Sequence, residues 1–379
     1  MALTLTRTAP AKPPLRRRRF LADLEGRPVF GHVTPNWFAS VMGTGIVANA
    51  AATLPVRVPG LLDAARVVWV LDALLLVVVG AATAAHRVRH PAAARAHLAD
   101  PVMAHFYGAP AMALLTVGAG ALLVGQPVVG AHVAAVLAGV LWTAGTLLGL
   151  WSAVAVTLRA FTQHEVGPAS AFGGWLMPVV PPMVSAATGP LLLPHLPVGE
   201  ARTTLLVLCY AMFGLTAIAS LVVITLVWDR LVQHHVGAAA AVPTLWIVLG
   251  PLGQSVTASH NLGAAASELL PAPYGAAFQG FGLVYGLPVW GFAMLWAALA
   301  LAITVRTARA GLPFSLTWWS FTFPVGTVVT GTSGLAAATG LTLFAGLAIA
   351  FYVALVAAWL VVAARTVHGT YRGRLLRAA

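Results

Sequence analysis

The stretch Trp318-Trp319-Ser320-Phe321-Thr322-Phe323-Pro324-Val325-Gly326-Thr327-Val328-Val329-Thr330-Gly331-Thr332-Ser333-Gly334 decides how this chain is read. It has the length and apolar content of a membrane span, yet it carries a proline, glycines and a run of hydroxyls. A helix that only faces lipid is built from Leu, Val, Ala and Phe. Small and hydroxylated residues belong where helices touch or where a cavity is lined. The stretch therefore predicts an inner helix of a membrane bundle.

Composition agrees. Hydrophobic residues make up 60% of the 379 and charged residues 8%, against about 45–50% and about 25% in soluble domains. This predicts an all-α polytopic membrane protein. The net charge of +12 is explained by arginines at span ends and in one tail, so nucleic acid is not an expected partner. The single cysteine, Cys209, lies in an apolar run, reads as a packing residue and excludes an intrachain disulfide.

Residues 1–34 form a basic tail. Its Arg16-Arg17-Arg18-Arg19-Phe20-Leu21 resembles a twin-arginine signal, but a chain of spans follows rather than one short cleavable segment. The tail holds few hydroxyls, Thr4, Thr6 and Thr8 before Thr34, and so gives little support to regulation by phosphorylation. Apolar runs long enough to cross roughly 30 Å of hydrocarbon then recur near 35–54, 61–84, 104–125, 130–158, 170–192, 203–228, 243–265, 275–305, 317–338 and 341–364. By hydropathy the third, seventh and ninth are the weak ones. With ten spans and an inside N-terminus, all of the 21 Lys and Arg except Arg57, Arg66 and Arg202 fall on one side. That asymmetry places both termini in the cytoplasm. The expected organisation is a cytoplasmic tail over 1–34, a transmembrane domain over 35–364 and a second basic tail over 365–379.

The odd-numbered spans start at steps of about 70 residues, the signature of a tandem repeat. In each, an aromatic precedes a break: Trp37-Phe38 before Gly43, Phe106-Tyr107 before Pro110, Trp175 before Pro178, Trp246 before Gly250-Pro251, and Phe323 before Pro324. Proline frees a carbonyl and kinks a helix, which lipid does not tolerate and a protein or water neighbour does. The odd spans should lie inside and the even spans outside. The prediction is ten transmembrane helices in five tandem hairpins, with pseudo-fivefold symmetry around a central pore.

The residues 35–46 (Pro35-Asn36-Trp37-Phe38-Ala39-Ser40-Val41-Met42-Gly43-Thr44-Gly45-Ile46), with Leu249-Gly250-Pro251-Leu252-Gly253-Gln254-Ser255 and Trp318-Trp319-Ser320-Phe321-Thr322-Phe323-Pro324, resemble the tellurite-resistance/dicarboxylate transporter family. That family includes the bacterial tellurite-resistance protein, fungal malate and sulfite transporters and plant slow-type anion channels. The resemblance covers about residues 30–365. It implies a ten-helix fold, a central pore, a homotrimer and a phenylalanine of the ninth helix that plugs the pore. On this chain the plug falls on Phe323, with Phe321 second. The residues expected to line the pore are Phe38, Gly43, Thr44, Gly45, Phe106, Pro110, Trp175, Pro178, Trp246, Gly250, Pro251, Gln254, Ser255, Thr327 and Thr330.

No Lys, Arg, Asp or Glu lies in the middle of an odd span. A neutral pore binds anions weakly enough to release them. Preference for anions would come from the basic cytoplasmic face, helix dipoles and donors such as Thr44, Gln254, Ser255, Thr327 and Thr330, which also suit helix-to-helix hydrogen bonding. Asp72, midway along the second span, must be paired or neutral unless it couples protons. His260 could titrate and bias anion entry or serve as an interface hydrogen-bond group, and His105 reads as a loop-edge residue. His86 and His90 share a helix spacing and His234-His235 are adjacent, but no cysteine or carboxylate completes a metal set. No nucleophile elbow, phosphate loop or carboxylate pair is present. The expectation is a plasma-membrane conduit for inorganic or small organic anions, with no enzymatic activity, cofactor or metal. Proton-coupled carriage of C4-dicarboxylates such as malate, or of sulfite, is the alternative mechanism, and a membrane haem protein using paired histidines is an alternative of another class.

Overall fold

A computed structural model of the chain describes residues 20–377. The arginines at 16–19 and Thr4, Thr6 and Thr8 lie outside the described residues. The order is α1 (Phe38–Thr53), α2 (Leu61–Arg89), α3 (Pro91–Ala99), α4 (Gly108–Gly120), α5 (Gln126–Val129), α6 (Ala131–Thr162), α7 (Pro181–Thr188), α8 (Glu200–His234), α9 (Leu249–Leu269), α10 (Tyr274–Ala310), α11 (Phe323–Thr339) and α12 (Thr342–Tyr371). Strands do not occur among the described residues.

Among the described residues, seven continuous helical stretches are long and apolar enough to cross a membrane: Leu61–Arg89, Met103–Val129, Ala131–Thr162, Glu200–His234, Ala239–Leu269, Tyr274–Ala310 and Thr342–Tyr371. The expected spans near 35–54, 170–192 and 317–338 are helical but fall short of that measure. α1 has 16 residues, α11 has 17, and the middle one is interrupted, with the eight residues of α7 between 3-10 turns at Gly173–Leu176 and Gly189–His195. Proline and glycine are the reason, since they start and stop helical turns instead of extending them. The third and seventh spans, weak by hydropathy, do qualify. A π turn over Ala121–Gly125 keeps one continuous, and a 3-10 run over Ala239–Val248 leads without a gap into α9.

Two layers separate by burial. In Met103–Val129 and Ala239–Leu269 the most apolar window is 61% and 72% buried, against 17% to 33% in the stretches containing α2, α6, α8, α10 and α12. Nearly all of α1 and α11 is buried as well. The inner elements close a ring in which α1 packs on α4, α4 on α7, α7 on α9, α9 on α11, and α11 on α1. The long apolar helices lie outside it, α2 on α1, α6 on α4 and α7, α8 on α7 and α9, α10 on α9, and α12 on α11 and α1.

Contact within the ring depends on small residues and on hydrogen bonds to backbone, since lipid supplies no hydrophobic drive between helices. A Cβ at Gly253 of α9 would meet the Thr327–Val328 backbone of α11, and one at Gly331 would meet the Gly253 carbonyl. Asn49 of α1 donates to the Thr116 carbonyl of α4 at 3.0 Å, Asn261 of α9 to the Ala187 carbonyl of α7 at 2.9 Å, and Thr327 to the Leu249 carbonyl at 3.1 Å.

The breaks differ from the kinked-helix expectation. Pro324 is the second residue of α11, and Pro181 the first of α7, where the missing N–H would have had no helical partner anyway. In each inner element a 3-10 turn (Pro35–Trp37, Met103–Tyr107, Gly173–Leu176, Ala239–Val248 or Leu316–Phe321) precedes the α-helix. The proline opens a new helix instead of bending an old one.

Candidate functional site: the axis of the inner ring

A small cavity lies inside the ring, lined from all five inner elements. Ala39 and Met42 come from α1, Phe106 and Met112 from the Met103–Val129 stretch, and Met177 and Val180 from the approach to α7. Ile247 and Gly250 come from the start of α9, and Leu316, Trp319, Ser320, Phe323 and Pro324 from the start of α11. Its free room is about 20 Å³, about enough for one water. The lining carries no ionisable side chain. Phe323 is 2% exposed.

The cavity sits where the five inner α-helices begin, at Phe38, Gly108, Pro181, Leu249 and Phe323. The preceding 3-10 turns keep the first N–H groups bonded; the Phe38 N–H, for example, donates to the carbonyls of Asn36 and Pro35.

Of the residues expected at the pore, Phe106, Gly250 and Phe323 line this cavity. Phe321 does not. It is half-buried, edge-on to Trp246 at 5.7 Å and to Trp318 at 5.6 Å between ring centroids. Trp246 turns outward and donates from its indole to the Thr304 hydroxyl of α10 at 2.9 Å. Phe38 is buried in the main apolar core. Gly43 faces Trp319 and Thr322, and Gly45 faces Asp72 and Thr116. The Thr44 hydroxyl bonds outward, accepting from the Trp359 indole of α12 at 3.1 Å. Pro110 is half-buried in the first turn of α4, Trp175 stacks on His105 at 5.9 Å, and the Pro178 carbonyl accepts from Ser152 of α6 at 3.1 Å. Pro251 and Ser255 face a groove between α8 and α10.

Gln254 follows Gly250 by one helical turn. It is buried, and its Oε1 has no hydrogen-bond partner. Thr330 of α11 shares a hydrogen bond with Thr257 of α9 at 2.7 Å, and His260 lies against Gly334, one turn further on. Sequence reasoning missed Met42, Met112, Met177, Ile247 and Trp319. Their signal was position: each lies within about one turn of the start of an inner helix.

Asp72 is fully buried among α1, α2 and α4, and neither carboxylate oxygen has a hydrogen-bond partner. The neighbour expected to pair with it is not there. At the N-terminal face of the ring, His86 stacks on His97 at 5.2 Å, with His90 at 6.0 Å from His86 and His32 at 5.5 Å from His97. Burial pushes the His97 imidazole down to about 4, helped by the His32 and His86 rings, and burial also lowers His32. His86 hydrogen-bonds through Nδ1 to the Phe30 carbonyl at 2.9 Å. Among the described residues no three His, Cys, Asp or Glu side chains are arranged to hold a metal ion.

A closed ring of small-residue helices, sheathed by long apolar ones, defines a multi-pass helical membrane protein with an uncharged axis. The chain belongs to the SLAC1 family of voltage-dependent anion channels, which matches residues 32–367. It is 28% identical over 340 residues to the sulfite efflux pump SSU1 of Arthroderma otae, covering 88% of this chain and 90% of that one. It is 28% identical to the sulfite efflux pump SSU1 of Trichophyton rubrum, over 90% of this chain and 92% of the relative. An uncharacterized transporter of Methanocaldococcus jannaschii is 25% identical, over 90% and 96%. The family is one of transporters and channels, and the protein is an anion transporter.

Proposed function

We propose that the protein exports small anions, sulfite-class anions among them, by gated passive permeation along the axis of the inner ring, with Phe323 as the closing plug. The observation that carries this reading is the axial cavity: narrow, lined by all five inner elements, free of ionisable groups and bordered by the buried Phe323 ring. An uncharged apolar constriction holds back a hydrated ion, and withdrawal of one aromatic would open it. Anions are favoured over cations by the arginine excess on the cytoplasmic side, and the uncharged lining gives no tight site in which an anion would stall. Gln254, Thr330 and Thr257 offer polar atoms beyond the cavity, toward the far ends of the inner helices.

In this reading the ten helical segments cross the plasma membrane as five hairpins. The arginine distribution supports cytoplasmic termini, and the trimer is what the family resemblance implies. The relatives named as sulfite efflux pumps make sulfite the first anion to test. Purified protein in liposomes loaded in turn with sulfite, chloride, nitrate and malate should release monoanions down their gradients without saturation at low millimolar concentration. Saturable transport that requires a proton gradient would overturn passive permeation.

A proton-coupled carrier for sulfite or C4-dicarboxylates is the second reading, and one observation favours it: Asp72, buried without a partner between two inner elements and α2. Asp72→Asn separates the two. Permeation survives it, whereas coupled transport does not.

A further inference from the structure

We propose that the seam between α2 and α12 binds an anionic glycerophospholipid, with an acyl chain in the groove between these helices and its phosphate on the arginines that follow α12. α2 and α12 are the first and last outer helices, and between them runs a groove of about 620 Å³, within the range of sites that hold small-molecule ligands. Its floor reaches the inner ring at Trp37, Thr44 and Trp319; its walls are Leu71 and Leu75 on one side and Trp359 and Ala363 on the other. At one end it is capped by Phe20, Val29 and Leu376.

Two independent features select the occupant. The first is a donor without an acceptor. Thr44 satisfies itself within the protein, donating to the Ser40 carbonyl and accepting from Trp359, and Trp319 donates to Thr366. Trp37 is 9% exposed, and its indole N–H is buried with no partner. An indole can only donate, so the missing group is an acceptor, such as a lipid ester carbonyl. A plain hydrocarbon or a detergent tail does not supply one.

The second is charge. Beside the capped end, Asp23 holds Arg372 at 3.0 Å and Arg374 at 3.6 Å, and Glu25 holds Arg377 at 3.3 Å. Three guanidiniums share two carboxylates, and Arg374 remains 62% exposed. Arginines just beyond the end of a membrane helix meet lipid phosphates. The backbone joins the two tails here as well: Leu21 N–H donates to the Tyr371 carbonyl and Asp23 N–H to that of Arg372, at 2.9 and 2.8 Å. A lipid in this seam would tie the first hairpin to the last.

The test is native mass spectrometry of the full chain, delipidated in detergent and then given phosphatidylglycerol or phosphatidylcholine of identical acyl chains. Wild type should retain phosphatidylglycerol at least tenfold better. The Arg374→Gln/Arg377→Gln pair should erase most of that preference, Trp37→Phe should lower retention of phosphatidylglycerol several-fold, and Ala363→Phe, which fills the groove, should abolish it. Equal retention of the two lipids by wild type would overturn the proposal, as would wild-type retention in Ala363→Phe. If Ala363→Phe aggregates on gel filtration, the other two variants decide, and wild-type retention in both overturns the proposal. A change of oligomeric mass in Ala363→Phe with no lipid adduct on wild type would make the groove a contact between copies, which also overturns it.

Discussion

Replacing Phe323 by alanine tests the plug directly, because the structure makes two separate statements about this ring. It is 2% exposed, so as an ordinary core residue its truncation would destabilise the fold by about 3–5 kcal/mol, transfer and cavity terms together. It also faces a cavity with about 20 Å³ of free room on the axis. Deleting the ring enlarges that cavity enough for several waters, and a wet axis recovers part of the cavity term. The destabilisation should therefore fall at or below the low end of that range. Permeation should respond the other way. Stripping water from an ion in an apolar constriction costs several kcal/mol, and relief of only ~3 kcal/mol raises a rate about 100-fold. Steady anion current in a planar bilayer, normalised to protein that elutes as wild type, should rise by about two orders of magnitude. A current within twofold of wild type together with the full core-residue loss of thermal stability would refute the argument and make Phe323 a packing residue.

Phe321→Ala serves as the internal contrast: its ring packs on Trp246 and Trp318, off the cavity, so anion current should stay within twofold of wild type. Gly253→Ala places a methyl against the Thr327–Val328 backbone and should cost about 1–3 kcal/mol of stability by overpacking, seen as a lowered melting temperature in detergent. Asp72→Asn keeps shape and removes only the option of charge, so passive anion flux should be unchanged across a pH gradient; loss of flux would favour the coupled carrier. His97 is held at about 4 against an ordinary 6.5, so between those values the unfolded chain binds the extra proton. Stability should therefore be fully present above about pH 6.5 and fall as pH drops toward 4. His97→Gln should flatten that part of the melting-temperature profile.

The legible part of the fold was the part that repeats. Each inner element announces itself by an aromatic followed by Pro or Gly, and the ring from α1 through α4, α7, α9 and α11 back to α1 uses those elements. Less legible was how each break is built. Pro324 and Pro181 open α-helices after 3-10 turns, and a sequence does not distinguish a proline that kinks a helix from one that begins it. Hydropathy also misranked the inner segments: the runs near 104–125 and 243–265 read as weak, yet Met103–Val129 and Ala239–Leu269 qualify as spans, whereas α1 and the interrupted α7 stretch fall short because their helices are too short.

By itself the sequence determined that this chain is a helical membrane protein with an uncharged interior, since composition and periodic breaks act locally and need no partner. Tertiary structure alone decided which small and aromatic residues share the axis. Phe321 and Phe323 are two residues apart, yet one ends a 3-10 turn and the other begins α11, and their rings meet different neighbours. The register of the 3-10 turn before α11 assigns one ring to the cavity and the other to Trp246. The same holds for Thr44, which looked like a pore hydroxyl and is turned to Trp359. Facing is fixed by how α1, α11 and α12 pack against one another, and that packing is a property of the inner ring and its outer helices together.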